Sequence, residues 1–286
     1  MCIAVLVGYG LRVARLGRPS MPRLGASPGS ALIPGWIVEA FYWSFHAPAR
    51  AMVRLRVDPD TLTYLSLALS LASLPLLATG RFGMGAAALT VGAVLDALDG
   101  MVARARGIAS AAGAVLDSCV DRLSDAAPFV GLALFYRSSD ATLAVPLAAM
   151  VASSLVSYAR AKADIHRLSL PNGLMRRHER VAILVAALLL GPLAPTTPLT
   201  GALPCPITLA GVALIAALGL TAGVLLVRRT RAALTAAAAA ATAAAVAAEE
   251  PPTPAAATPP RRREPGPSKA PPACVGAQSS RSPSTT

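Results

Sequence analysis

Six apolar stretches, each long enough to cross a lipid bilayer, constrain this chain more than any other feature. They lie at 61–79, 84–103, 114–136, 141–159, 181–198 and 206–227. A helix needs about 20 residues to cross a hydrocarbon core of about 30 Å. The fifth stretch is the weakest because Pro192 and Pro195 would kink or shorten it. The sequence therefore predicts an all-α integral membrane protein with six transmembrane helices.

The composition agrees with a membrane protein and weighs against a soluble one. Only 14% of the 286 residues are charged and 55% are hydrophobic, whereas soluble domains carry about a quarter charged residues. A net charge of +12 would suit nucleic acid. A chain this apolar would not stay in water, however, so we expect a bilayer and no nucleic-acid partner. The four cysteines form no C-x-x-C pair, so we predict neither a zinc site nor a disulfide framework.

The positions of Lys and Arg predict the orientation in the membrane. The odd-numbered connections between spans carry Arg81 and Arg137. The other side holds Arg50, Arg54, Arg56, Arg104, Arg106, Arg160, Lys162, Arg167, Arg176, Arg177, Arg180, Arg228, Arg229 and Arg231. Positive charge stays on the cytoplasmic side, so we expect a multi-pass protein of the cell (cytoplasmic) membrane with both termini and the active site facing the cytoplasm.

Three regions follow from this pattern. Residues 1–35 form an N-terminal extension that we expect to be poorly ordered, with Met21 as an alternative start to Met1. Residues 36–231 form the membrane domain, which opens with aromatic and basic residues typical of an interfacial amphipathic helix. Residues 232–286 form an Ala/Pro-rich tail, predicted to be a frayed alanine helix that runs into a disordered segment.

Carboxylates cluster at the ends of the second and third predicted spans. Asp96 and Asp99 are three residues apart, and Asp117 and Asp121 are four apart. On helices both spacings place the two side chains on one face. Ionisable groups at membrane depth are costly and usually line a cavity, pair with another charge or bind an ion. Asp125 lies one turn further, and we expect it to be a structural hydrogen-bond acceptor.

Four clustered carboxylates need positive charge between them. Hard divalent cations, Mg²⁺ or Mn²⁺, favour oxygen ligands and often bridge carboxylates to substrate phosphates. A pair of such ions can neutralise a phosphate centre undergoing displacement. The residue types therefore predict metal-assisted chemistry on a phosphorylated substrate. An ion-coupled transporter with intramembrane carboxylates is the alternative from another class.

The same segment carries a family signature. It reads Asp96-x-x-Asp99-Gly100-x-x-Ala103-Arg104, then Gly113-x-x-x-Asp117-x-x-x-Asp121. This resembles the complete signature of the class I CDP-alcohol phosphatidyltransferase family. The resemblance implies transfer of a phosphatidyl group from CDP-diacylglycerol to a small polar alcohol, with release of CMP, by a homodimer in phospholipid biosynthesis. A member that had lost catalysis and served as a scaffold would be expected to lack an Asp, and none is missing.

The resemblance also implies roles for individual residues. Asp96, Asp99, Asp117 and Asp121 match ligands of two divalent ions, and Asp121 matches the general base that takes the proton of the acceptor hydroxyl. The positions that match contacts to the CDP-lipid are Pro59, Asp60, Thr61, Leu62, Gly100, Arg104 and Ser110. At one of these, Asp60, many relatives have Asn.

The acceptor is predicted from basic residues at the cytoplasmic face. The run from Ser157 to Asp164, together with a later Glu-Arg pair, is similar to the phosphatidylinositol-phosphate synthase branch. That similarity implies that the phosphate of inositol phosphate is bound by Arg160, Arg180 and Arg228. Arg160 stands where Lys is frequent, and Arg still binds phosphate, through a planar fork. Glycerol 3-phosphate is the alternative acceptor.

Overall fold

The fold is helical throughout the part of the chain that the structure describes. The computed structural model describes residues 9, 12, 13, 15, 35–166, 168, 175–193 and 203–249. Within these residues there is no strand, so the all-α fold class is confirmed. The helices are α1 (Gly35–Arg54), α2 (Pro59–Ala78), α3 (Phe82–Ala105), α4 (Ala111–Phe135), α5 (Asp140–Ile165), α6 (Arg177–Leu190) and α7 (Pro206–Glu249), with a short 3-10 turn at Gly191–Leu193.

Four of the described helices are long and apolar enough to cross a membrane: α2, α3, α5 and the Pro206–Ala243 part of α7. Helix α4 carries several charged side chains along its 25 residues. Helix α6 has 14 residues, which at 1.5 Å per residue is shorter than the hydrocarbon core. The count of six spans therefore stays a prediction, and four is the number that length and composition support.

The α-helix of the predicted fifth span, 181–198, ends before Pro192, as the prolines in this stretch predict. Helix α6 ends at Leu190, and Pro192 lies in the 3-10 turn that follows. Proline has no N–H to donate to the preceding turn, so it does not continue the α-helix. Residues 194–198 lie outside the described part of the chain.

Helix α2 occupies a central position because it packs against both α3 and α4. Helix α3 also contacts α1 and α6, and α4 contacts α5. A small core of Ala49, Leu62, Leu98 and Val102 joins α1, α2 and α3 beside the signature segment. This packing brings the beginning of α2 to the end of α3, where Asp96 and Asp99 lie.

The start of α4 is set by a side-chain cap. The Ser110 hydroxyl oxygen accepts a hydrogen bond from the Gly113 backbone N–H at 3.0 Å. Such a cap satisfies one of the free N–H groups of the first turn. The cap aligns the first turns of α4, and Asp117 and Asp121 follow on this helix.

The structure describes some residues of the predicted N-terminal extension and of the predicted C-terminal tail. Tyr9, in the predicted N-terminal extension, is buried and donates a hydrogen bond from its hydroxyl to Glu39 Oε2 at 2.7 Å. At the other end α7 continues through the alanine-rich stretch to Glu249, as expected for the residue with the highest helix propensity. The chain divides into two compact units after Ala238, and of the second unit residues 239–249 are described. The other residues of 1–35 and residues 250–286 lie outside the described ranges.

Small residues allow the helices to approach closely. A Cβ at Gly131 of α4 would lie 2.6 Å from the Leu74 carbonyl oxygen of α2. A Cβ at Gly211 of α7 would lie 2.4 Å from the Cβ of Ala187 in α6, and one at Gly219 would lie 2.9 Å from the Cβ of Ala152 in α5. Close backbone approach through small residues is typical of packed membrane helices.

We expect Gly131→Ala to destabilise the protein by about 1 to 3 kcal/mol, because the new methyl group would collide with the rigid backbone of α2. The measurement is the thermal unfolding temperature of the purified protein in detergent. Gly83→Ala is the matched control, since no heavy atom lies within 4 Å of a Cβ built there. An equal effect of the two substitutions would contradict the proposed close contact.

Candidate active site

Three of the predicted metal ligands come together between α3 and α4. Carboxylate oxygens of Asp96, Asp99 and Asp117 lie within 4.8 Å of one another. The fourth predicted ligand, Asp121, lies one turn after Asp117 on α4, and its carboxylate contacts Arg177. The helical spacings of the signature thus place acidic side chains of two helices at one site.

A threonine from α2 completes the surroundings of Asp99. The Thr63 hydroxyl donates a hydrogen bond to Asp99 Oδ2 at 2.5 Å, and both residues are buried. The other oxygen, Oδ1, accepts the backbone N–H of Gly100. Fixed hydrogen bonds to a ligating carboxylate orient it toward a metal. Thr63 therefore acts on the site through Asp99.

Arg177, the first residue of α6, inserts its guanidinium among the carboxylates. Its Nη1 donates a hydrogen bond to Asp96 Oδ2 and lies 2.5 Å from Asp121 Oδ1. Its Nε donates to Asp125 Oδ1 at 3.2 Å. One arginine therefore contacts three carboxylates of two helices.

Arg180 forms a second, more deeply buried connection one turn further along α6. Its Nη2 donates to Asp125 Oδ2 at 2.7 Å and to Ser157 Oγ at 3.1 Å, and its Nη1 donates to the Met175 carbonyl. The side chain is 5% exposed. Asp125 thus accepts hydrogen bonds from two arginines, in agreement with its expected structural role.

The site fits a hard divalent cation. Asp96 Oδ1 is buried and has no hydrogen-bond partner among the described residues, which is unusual for a polar atom. It belongs to the same trio of acidic side chains as Asp99 and Asp117. Mg²⁺ and Mn²⁺ take carboxylate oxygens as ligands. The five carboxylates also outnumber the arginines that interact with them, Arg104, Arg177 and Arg180, which leaves net negative charge for a cation to neutralise.

The residues predicted to bind the CDP-lipid lie around the adjoining ends of α2, α3 and α4. Pro59 and Leu62 are buried at the start of α2, whereas Asp60 and Thr61 are exposed. The Arg104 guanidinium folds back over Gly100, since a Cβ at Gly100 would lie 2.8 Å from Arg104 Nη1.

The remaining CDP-lipid position, Ser110, is exposed and serves as the cap of α4 described above.

The three arginines predicted to bind the acceptor differ in their surroundings. Arg160, near the end of α5, is half-buried and interacts electrostatically with Arg176 and Asp164. Arg228 of α7 is exposed. Arg180 is buried, and its described hydrogen bonds all go to protein groups, as given above.

Two residues of the site, Arg177 and Thr63, were not among the predicted site residues. The need for positive charge between the carboxylates is evident from the sequence, but the arginines nearest to them along the chain are Arg104, Arg106 and Arg122. Arg177 lies 81 residues after Asp96 in the sequence. A pairing over that distance is decided by helix packing and leaves no local signal.

Comparison with known proteins supports the resemblance. The family model of the CDP-alcohol phosphatidyltransferases matches residues 56–222, more than half of the chain. Over 142 residues the chain is 39% identical to the phosphatidylinositol phosphate synthase of Mycobacteroides abscessus, covering 48% of this chain and 64% of that protein. Over 187 residues it is 35% identical to the corresponding synthase of Streptomyces avermitilis, covering 62% of this chain and 74% of that protein. The match thus spans slightly less than two thirds of the first relative.

The solved structures that the fold resembles are also of a phosphatidylinositol phosphate synthase. A crystal structure of Mycobacterium tuberculosis phosphatidylinositol phosphate synthase with CDP-DAG bound matches with a TM-score of 0.56 and 30% identity, over 64% of this chain and 92% of that chain. A structure of that synthase in complex with manganese and citrate matches with a TM-score of 0.55 and 28% identity, over 64% of this chain and 87% of that chain. This chain therefore belongs to the CDP-alcohol phosphatidyltransferase family.

Proposed function

We propose that this protein transfers a phosphatidyl group from CDP-diacylglycerol to a hydroxyl of inositol phosphate and releases CMP. The single observation that carries the proposal is the convergence of Asp96, Asp99 and Asp117 at the family signature. The relatives named phosphatidylinositol phosphate synthase support this acceptor. The neighbouring structure with CDP-DAG bound supports the donor.

The proposed reaction is a displacement at phosphorus. The acceptor hydroxyl oxygen forms a bond to the phosphorus that carries the lipid, and the bond from that phosphorus to the CMP oxygen breaks. The hydroxyl proton passes to the Asp121 carboxylate, whose side chain is 33% exposed. A general base must lie within hydrogen-bond reach of the proton it removes.

Two divalent ions, Mg²⁺ or Mn²⁺, would be held by Asp96, Asp99, Asp117 and Asp121. They would supply charge neutralisation at the attacked phosphate and the leaving CMP. The buried, unpartnered Oδ1 of Asp96 supports such a ligand set. The manganese complex of the M. tuberculosis synthase is consistent with it.

The proposed membrane arrangement has six spans, with α4 and α6 joining the four longer apolar helices. Helix α4 would hold the carboxylates of Asp121 and Asp125 toward the protein rather than toward lipid, and their contacts with Arg177 support this. The distribution of Lys and Arg favours an active site that faces the cytoplasm. Helix α1 would lie in the membrane interface, and the family resemblance implies a homodimer.

The direct test is CMP release from CDP-diacylglycerol by the purified protein, with Mg²⁺ or Mn²⁺ and a panel of acceptors. Inositol phosphate, glycerol 3-phosphate, inositol and serine form the panel. Metal-dependent release with inositol phosphate would support the proposal. Release with glycerol 3-phosphate alone would reassign the acceptor. Ion flux in vesicles without CMP release would favour a transporter.

Asp121→Asn should lower kcat by about 100-fold or more, because the amide cannot accept the acceptor proton. The measurement is metal-dependent CMP release at saturating substrates. Asp140→Asn at the exposed start of α5 is the control and should retain activity. Full turnover of the Asp121 variant would exclude this residue as the base.

Arg160→Gln should raise the KM for inositol phosphate by about tenfold and leave that for CDP-diacylglycerol unchanged. The expected loss is that of one charge-assisted hydrogen bond to the acceptor phosphate. Arg81→Gln, which removes an exposed arginine before α3, is the control. Equal changes in both KM values would argue against a specific acceptor contact.

Thr63→Val should weaken Mn²⁺ binding by about 10- to 100-fold, because Asp99 would lose the hydroxyl that orients it. Mn²⁺ binding is measured by electron paramagnetic resonance of the free ion. Thr90→Val is the control, since the Thr90 hydroxyl donates to the Ala86 carbonyl of its own helix. Unchanged affinity in the Thr63 variant would show that this hydrogen bond does not support the metal site.

A further inference from the structure

The guanidinium of Arg177 contacts three carboxylates at once. Asp96 and Asp125 are bound through hydrogen bonds from Nη1 and Nε. The contact with Asp121 Oδ1, at 2.5 Å, is an ion pair. The same Oδ1 atom is buried, so Arg177 is its described neighbour of opposite charge. Arg177 Nη1 therefore occupies space next to Asp121 Oδ1 that a second cation would need.

Asp96 has one oxygen for each of two cations, the guanidinium of Arg177 and a divalent metal ion. Its Oδ2 accepts from Arg177, while its buried Oδ1 is unpartnered. A divalent cation on Oδ1, Asp99 and Asp117 is compatible with Arg177 on Oδ2. A cation on Asp121 Oδ1, in contrast, would need the position next to Arg177 Nη1. Two positive charges that close repel each other strongly at low dielectric.

The guanidinium has a further anchor besides Asp96 and Asp121. Its Nε is tethered to Asp125, which Arg180 holds in turn from a buried position. A cavity of about 30 Å³ beside these groups is lined by Asp125, Arg177 and Arg180. This is space for about one water molecule. A shift of the Nη1 end away from Asp121 would leave the tether of Nε to Asp125 in place.

We propose that Arg177 is a positioning residue that serves as an internal counter-ion of the carboxylates and competes with a divalent cation for Asp121. The inference rests on the proposed metal-dependent function. The site then has two cation positions. The first, at Asp96, Asp99 and Asp117, is open, whereas the Arg177 guanidinium occupies the second, at Asp121. Cation binding at the second position is then weaker, and it frees Asp121 from the arginine.

The test is a Mn²⁺ titration of the purified full-length protein in detergent, without lipid substrate, followed by electron paramagnetic resonance. The wild-type protein should bind Mn²⁺ in a tighter and a weaker class. Arg177→Gln should tighten the weaker class by at least about tenfold, because a unit charge next to that position is removed. Arg122→Gln is the matched control, since this exposed arginine donates to the Ser118 carbonyl of its own helix. Its affinities should change by less than about twofold, as solvent and salt screen exposed charges.

A second readout follows thermal unfolding. Metal-free Arg177→Gln should unfold at a lower temperature than the wild type, and Mn²⁺ should raise that temperature more than it does in the wild type. If Arg177→Gln does not fold, Arg177→Lys replaces it. Lysine keeps the charge as a compact point without the guanidinium fork, and the weaker class should tighten by about threefold.

The outcomes separate the two proposals. Unchanged or weaker Mn²⁺ binding in the Arg177 variants would overturn the counter-ion role and leave the proposed reaction standing. An absence of Mn²⁺ binding by the wild type would overturn the metal-dependent function and the counter-ion role with it. Equal tightening in Arg122→Gln would reduce the effect to general electrostatics and would also overturn the specific role of Arg177.

Discussion

Repulsion between carboxylates is the constraint on which the rest of this structure depends. Two helices bring Asp96, Asp99 and Asp117 within ligand distance of one another, in a chain with only 14 acidic residues. Like charges this close cannot all stay ionised without positive charge between them. The protein supplies part of that charge from α6, through Arg177 and Arg180, and the remaining negative charge suits divalent cations.

The helical scaffold gives this charge arrangement its geometry. Helix α2 packs on both helices that carry the signature, and its Thr63 hydroxyl fixes Asp99. The approach of α4 to α2 depends on Gly131, where a side chain would strike the Leu74 carbonyl. Because a shift of about 1 Å can matter for catalysis and metal binding, close packing away from the site also bears on its chemistry.

Much of the site could be predicted because its information is local. Asp96 and Asp99 share a helix, and so do Asp117 and Asp121, so residue spacing alone predicts which side chains share a face. Asp125 was also correctly expected to accept hydrogen bonds. Arg177 was different, since the sequence predicts acceptor binding by its neighbour Arg180 and gives no site role to Arg177. Its contact with Asp96 depends on α6 packing against α3, which no local pattern encodes.

The sequence by itself determined the helical class, the membrane character, the acidic signature and the need for a counter-charge. These follow from hydropathy and helical periodicity, which act over one or a few turns. Only the tertiary structure decided which cation meets which carboxylate. Helix packing brings Arg177 into contact with Asp96, Asp121 and Asp125. It also pairs the buried Arg180 with Asp125 and brings the Thr63 hydroxyl to Asp99. The physical reason is that charge pairing in a helical bundle depends on distances between helices, and those distances are set by packing of side chains far apart in the chain.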